Sequence, residues 1–158
     1  MTTIYVETSI IGYLTARSSD RLIFAGRQAL TRLWWFHRRH LYRLVSSPLT
    51  LEEIARGDPE AAAERVTYFE GIEILDSTDA RIAILAETLV SKSLLPAKAR
   101  ADALHVAIAT IHRVEYILTW NCRHIANADQ LPRLYRLLRE LGYSPPLIVT
   151  PDEFSHEE

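Results

Sequence analysis

An alternating α/β fold, with a parallel sheet covered on both faces, is the architecture this sequence predicts. Three observations predict it. Five short β-rich runs, at residues 4–6, 44–46, 72–75, 116–119 and 147–149, are spread along the 158 residues. Longer stretches of helical period lie between them. No Asn-Gly or Asp-Gly hairpin signal joins any two runs, so the strands need crossover connections, which make a sheet parallel.

The elements can be justified in order. The run Ile4-Tyr5-Val6 leads straight into Glu7 and a helix beginning at Thr8. In the next helical segment, residues 30–42, Leu30, Leu33, Trp34, His37 and Leu41 form one stripe, which turns Trp35 and Phe36 elsewhere. An uncovered Trp35 beside arginines has the composition of an interface hot spot, unless a neighbouring helix or the chain's tail covers it. After the second run, Ser47-Pro48 supplies a cap and first turn, and Asp58-Pro59 does so again, with Gly57 and Gly71 as terminators. Ile82, Leu85, Ala86 and Leu89 keep the i, i+3, i+4, i+7 spacing, as do Leu104, Ala107, Ile108 and Ile111. Leu131, Leu134, Tyr135, Leu138 and Leu141 form a last stripe with Arg133, Arg136 and Arg139 outward, and Gly142 stands where a left-handed cap is expected. Residues 1–150 read as one domain, and residues 151–158 as an acidic, frayed tail.

Composition narrows the function. A single cysteine, Cys122, excludes a disulfide framework and fits a reducing, cytoplasmic setting. The longest stretch without Asp, Glu, Lys or Arg is eleven residues and holds three prolines, too short for a membrane span of roughly 20. No signal peptide is visible at the start. The net charge of −2 hides an uneven layout: residues 17–43 hold seven arginines and one acid, residues 52–79 nine acids and two arginines. An arginine-rich segment favours an anionic partner, although any single arginine can be a solvated one.

In an open parallel sheet, ligands bind beyond the carboxyl ends of the strands. That rule selects Glu7 after the first run, Glu52 and Glu53 on the helix after the second, and Asn121 after the fourth. Asp102 lies near the start of the helix leading into the fourth run. Each has a structural alternative: Glu7 as a helix cap, Glu53 as half of a capping box with Thr50, Asp102 as a helix-dipole partner. Together they place three carboxylates and an amide at one end of the sheet, with Lys98 the one nearby lysine. Clustered carboxylates repel unless a cation joins them, and oxygen donors select Mg²⁺ or Mn²⁺. The Cys122/His124 and His105/His112 pairs lack zinc spacing, and no glycine pattern makes a phosphate loop.

Four segments, Ile4-Tyr5-Val6-Glu7-Thr8-Ser9, Leu51-Glu52-Glu53-Ile54, Ala101-Asp102-Ala103-Leu104-His105 and Leu118-Thr119-Trp120-Asn121, resemble in order and spacing the motifs of PIN domains. The chain is similar in particular to VapC-type toxins of toxin–antitoxin pairs. The resemblance implies a three-layer α/β/α PIN-like fold with a central five-stranded parallel sheet. It also implies a Mg²⁺-dependent endoribonuclease, with Mn²⁺ as a substitute. Glu7, Glu53, Asp102 and Asn121 would be catalytic, Glu7 and Asp102 would hold the metal, and Ser9 would orient Glu7. Implied partners are an RNA substrate, a cognate antitoxin and a second copy in a homodimer. Two departures from the family pattern matter: Glu7 stands where most relatives have Asp, and many relatives have Asp where this chain has Asn121, or a further Asp where it has His124. The extra methylene moves the first carboxylate by roughly 1.5 Å. Three formal negative charges remain, which suit one Mg²⁺ and motivate the alternative of a catalytically degenerate domain that binds RNA or protein.

Overall fold

The computed structural model describes residues 1–92, 95–96 and 99–154. Lys98 and residues 155–158 of the expected tail lie outside the described residues. Five parallel strands, β1 (Thr3–Val6), β2 (Arg43–Ser46), β3 (Glu73–Ile74), β4 (Tyr116–Leu118) and β5 (Leu147–Val149), form one sheet ordered β3-β2-β1-β4-β5. Among the described residues, seven α-helices accompany them: α1 (Thr8–Thr15), α2 (Leu22–His37), α3 (Pro48–Ile54), α4 (Pro59–Thr67), α5 (Ala80–Ser91), α6 (Arg100–Ile111) and α7 (Leu131–Glu140).

Alternation along the strands divides the core in two. Ile4, Val6, Leu44 and Leu118 face one side, where Ile10, Ile11 and Leu14 of α1 and Trp34 and Trp35 of α2 cover them. Tyr5, Val45, Ile117 and Ile148 face the other, under α5, α6 and the Leu134 and Leu138 stripe of α7. This is the expected α/β/α sandwich. The end of α7 shows how local the encoding is. Gly142 takes φ +88°, Gly142 N–H donates to the Arg139 carbonyl at 2.9 Å, and Tyr143 N–H donates to that of Leu138 at 2.9 Å. These two bonds are the Schellman closure that a glycine at this place makes cheap.

Two expectations need correction. Trp35 is not on the surface: it is 2% exposed, Tyr68 meets its ring edge-on at 6.0 Å, and the Arg39 guanidinium lies 4.2 Å from its centroid. Trp34 is buried beside it, stacked on Tyr42 and next to Phe154. Neighbouring residues, 100° apart around the helix, are both buried because structure from both ends of the chain flanks α2. Leu33, Phe36 and Leu41 are the exposed ones, at 51%, 61% and 46%. The second correction concerns the tail. Residues Pro151–Phe154 form a 3-10 turn whose Pro151 is buried, and Phe154 packs on Trp34, Tyr42 and Tyr116. The ordered domain therefore runs past residue 150. The frayed description fails for these four residues because Phe154 completes the aromatic cluster beneath α2.

Candidate functional site

The strand order sets the site's location. The chain moves outward from β1 through β2 to β3, then returns to place β4 on the other flank of β1. The crevice at such a reversal, beyond the carboxyl ends of β1 and β4, is where open α/β sheets bind ligands. Glu7 follows β1 there, and Thr119, Trp120 and Asn121 follow β4.

Glu7 is 5% exposed and caps α1, as one structural alternative supposed. Its Oε2 accepts from Ser9 N–H at 3.0 Å, from Thr119 Oγ1 at 2.7 Å and, over a very short contact, from Ser9 Oγ. The longer glutamate folds back over its own helix N-terminus to reach the N–H at the second helical position. No described residue donates to Oε1. Ser9 Oγ also accepts from Trp120 N–H at 2.8 Å, and Thr119 Oγ1 from Asn121 N–H at 2.9 Å, so β1 and β4 are stitched together at the site.

Glu53 is not part of a capping box. Ser47 is the cap of α3, which leaves the Glu53 side chain free to reach across to α1 and α6. Its Oε1 accepts from Thr8 Oγ1 at 2.8 Å and lies 2.5 Å from His105 Nε2. Burial raises the carboxyl's pKa, but the His105 hydrogen bond and charge, helped by Thr8 and Arg56, outweigh it, so Glu53 sits below the ordinary range. Asp102 lies in the first turn of α6, with Oδ1 accepting from Asn121 Nδ2 at 3.1 Å and Oδ2 lying 3.0 Å from His124 Nδ1. Asn121 Oδ1 in turn accepts from His124 N–H at 3.1 Å.

The structure thus brings Glu7, Ser9, Asp102 and Asn121 into one hydrogen-bonded network through Thr119, and joins Glu53 to α1 and α6. Two histidines missed as site residues stand beside it. For His105 the sequence offers only a zinc pairing with His112, whereas His124 stands where many relatives of the resembled family have a further Asp; His112 bonds the Asp76 carbonyl and Cys122 is exposed. The available signal was spacing: His105 lies one helical turn after Asp102, on the same face. Of the basic segment, Arg27 donates to Tyr13 Oη at 3.1 Å, and its guanidinium lies 5.3 Å from the ring of Trp120, the residue that precedes Asn121. Arg43 is tied to Glu73 and Arg39 lies over Trp35.

Among the described residues, no three His, Cys, Asp or Glu side chains gather closely enough to cage an ion. Mg²⁺ does not need a cage: it commonly uses one or two carboxylates and keeps several waters. Two carboxylates with an undonated Glu7 oxygen suit that water-rich coordination, and do not suit zinc.

No protein-family model and no curated protein matches the chain. Solved structures do. The VapBC2 complex of Rickettsia felis bound to a DNA fragment from its promoter contains a chain with TM-score 0.56 and 13% identity, matched over 94% of this chain and 98% of that one. VapBC-1 of nontypeable Haemophilus influenzae gives TM-score 0.57 and 14% identity, over 96% and 99% of the two chains. Identity this low speaks to architecture, and the architecture matches over nearly the whole length. The chain shares the fold of a chain in each of these VapBC complexes, in line with the five-stranded α/β/α architecture that its motifs anticipated.

Proposed function

We propose that this chain is a Mg²⁺-dependent endoribonuclease, the toxin component of a toxin–antitoxin pair acting in the cytoplasm. One observation carries the reading: Glu7, Asp102 and Asn121 meet through Thr119 at the topological switch point of a VapC-type fold, with Glu53 held on the adjoining helix. Glu7 and Asp102 would hold Mg²⁺, or Mn²⁺ in its place, with Glu53 and Asn121 completing the polar wall. The bound ion would supply an activated water for attack on a phosphodiester and compensate charge on the phosphoryl oxygens.

The chain's own contributions follow from its contacts. Ser9 and Thr119 hold Glu7 by one oxygen, which leaves its other oxygen without a donor among the described residues. Asn121 and His124 fix the Asp102 carboxylate plane from two sides. Arg27 offers a forked cation beside the crevice for a backbone phosphate. Purified protein should cut structured RNA with Mg²⁺ or Mn²⁺ and stop when EDTA is added. Cleavage unaffected by EDTA would refute the reading.

One observation favours a second reading, a degenerate domain that binds RNA or protein without cutting. Glu53 and Asp102 are each already engaged by a histidine. A dead site would leave the melting temperature blind to Mg²⁺, whereas a site with affinity raises it by mass action.

An antitoxin and a second copy are the proposed protein partners, and VapBC complexes are the matching structures. The exposed face of α2 is the surface offered to one of them. Leu22, Gly26, Ala29, Leu33 and Phe36 recur there at heptad-like spacing, with Leu22 88% and neighbouring Ile23 70% exposed. Apolar patches of this kind on an otherwise polar surface mark interaction sites.

A further inference from the structure

A buried polar chain runs behind the carboxylates. His105 is fully buried, and its Nδ1 lies 2.6 Å from Tyr5 Oη, itself 2.6 Å from Ser47 Oγ and 3.3 Å from Thr50 Oγ1. Its other nitrogen, Nε2, meets Glu53 at 2.5 Å. Chemistry orders the protons. A carboxylate only accepts, so Nε2 donates to Glu53, while Nδ1 and Tyr5 Oη share the next hydrogen bond and Ser47 Oγ bonds Tyr5 beyond it. Burial, the largest influence, keeps the Tyr5 phenol protonated far above ordinary pH, despite the opposing hydrogen bonds from Ser47 and Thr50.

The chain's path matters more than its length. Tyr5 belongs to β1, the strand that ends in Glu7. Ser47 caps α3, the helix carrying Glu53. His105 belongs to α6, one turn after Asp102. The three elements that carry the three carboxylates are therefore fastened to one another at a single buried junction. Apolar packing of the same volume would hold the elements at a given distance, but it would not fix rotation or register. Directional bonds do both.

We propose that His105 and Tyr5 are positioning residues for the reaction, setting Glu53 directly and the spacing of Glu7 and Asp102 through β1, α3 and α6. The proposal rests on the ribonuclease reading of this site. Loss of a group that orients ligating or catalytic side chains commonly costs about 10–100-fold in metal affinity or activity.

Three variants test it, read by RNA cleavage and by Mn²⁺ binding in electron paramagnetic resonance. Tyr5→Phe deletes one hydroxyl and keeps the ring in the core; His105→Ala removes the junction; His105→Gln retains an amide N–H directed at Glu53. Tyr5→Phe and His105→Ala should lower kcat and Mn²⁺ affinity by roughly 10–100-fold with KM for RNA nearly unchanged. His105→Gln should recover most of both. If His105→Ala fails to fold, Tyr5→Phe and His105→Gln still decide the matter. Variants that melt earlier yet keep wild-type kcat and Mn²⁺ affinity would show a purely structural junction and overturn the proposal alone. A wild-type protein that neither cuts RNA nor binds Mn²⁺ would overturn the site reading, and the positioning role with it.

Discussion

Removing one oxygen atom, in Ser9→Ala, should disturb two strands and the first carboxylate together. Ser9 Oγ donates to Glu7 Oε2 and accepts from Trp120 N–H at 2.8 Å, while Thr119 Oγ1 lies 3.3 Å away. Without it, the Trp120 amide is unpaired in a residue 7% exposed. A stranded buried donor costs about 1–3 kcal/mol, and a hydrogen bond to a charged group contributes about 1.5–3 kcal/mol. Glu7 keeps two donors, Ser9 N–H and Thr119 Oγ1, so the second loss is only partial. The expected total is about 2–4 kcal/mol. For a domain of this size each kcal/mol moves Tm by roughly 2–4 °C, so the variant should melt about 5–15 °C lower. Urea titration of Ser9→Ala, Thr119→Val and the double variant measures the coupling. Non-additive losses are expected, because both hydroxyls serve the same Glu7 oxygen and lie within bonding distance of each other. A loss below about 1 kcal/mol for Ser9→Ala, or strict additivity, would refute this picture of the joint.

The helix α2 offers a paired prediction. Trp35→Ala should cost about 3–5 kcal/mol in urea unfolding, whereas Phe36→Ser should stay within about 0.5 kcal/mol and weaken association with the antitoxin or a second copy. Glu53 predicts a pH dependence in metal-free protein. Its carboxyl is held below the ordinary range: burial opposes ionisation but is outweighed by His105, Thr8 and Arg56. The resulting stabilisation is complete above the unfolded value near about 4.3 and is lost as pH falls through the folded value. The stability gap between wild type and Glu53→Gln, from urea midpoints, should therefore narrow from pH 7 to pH 3. A gap constant across that range would contradict the ion-pair account.

Features encoded within a few residues could be read from the sequence. The caps Ser47 and Asp58, the Gly142 closure and the strand runs depend on neighbours in the chain, and the structure holds them where they were expected. The absence of hairpin signals pointed to the parallel sheet, and the carboxyl-end rule singled out Glu7, Glu52, Glu53 and Asn121 before any contact was known. Long-range packing was not legible. Trp35 owes its burial to Tyr68 and Arg39, and Phe154 owes its order to Trp34, Tyr42 and Tyr116. The edge strand is shorter than its β-rich run, Glu73–Ile74 alone, with Leu75 N–H still donating to the Ser46 carbonyl at 2.8 Å and Ile72 and Leu75 buried on opposite faces. His105 was misread for the same reason. Sequence compared it with His112 on its own helix, while its partners, Glu53 and Tyr5, lie 52 and 100 residues away.

The account's central claim is that the carboxylates at the switch point of the sheet cut RNA. Single-turnover cleavage of a structured RNA, with Mg²⁺ in excess, tests it most directly when wild type and Asp102→Asn are purified in parallel. Asparagine preserves the size of the side chain and can still bond at this position, so the fold should survive while the charge is lost. The account predicts a rate at least about a hundredfold lower in the variant, consistent with the loss of a group that acts in the transition state, with an unchanged circular dichroism spectrum and melting transition. Equal cleavage by Asp102→Asn and wild type would contradict it.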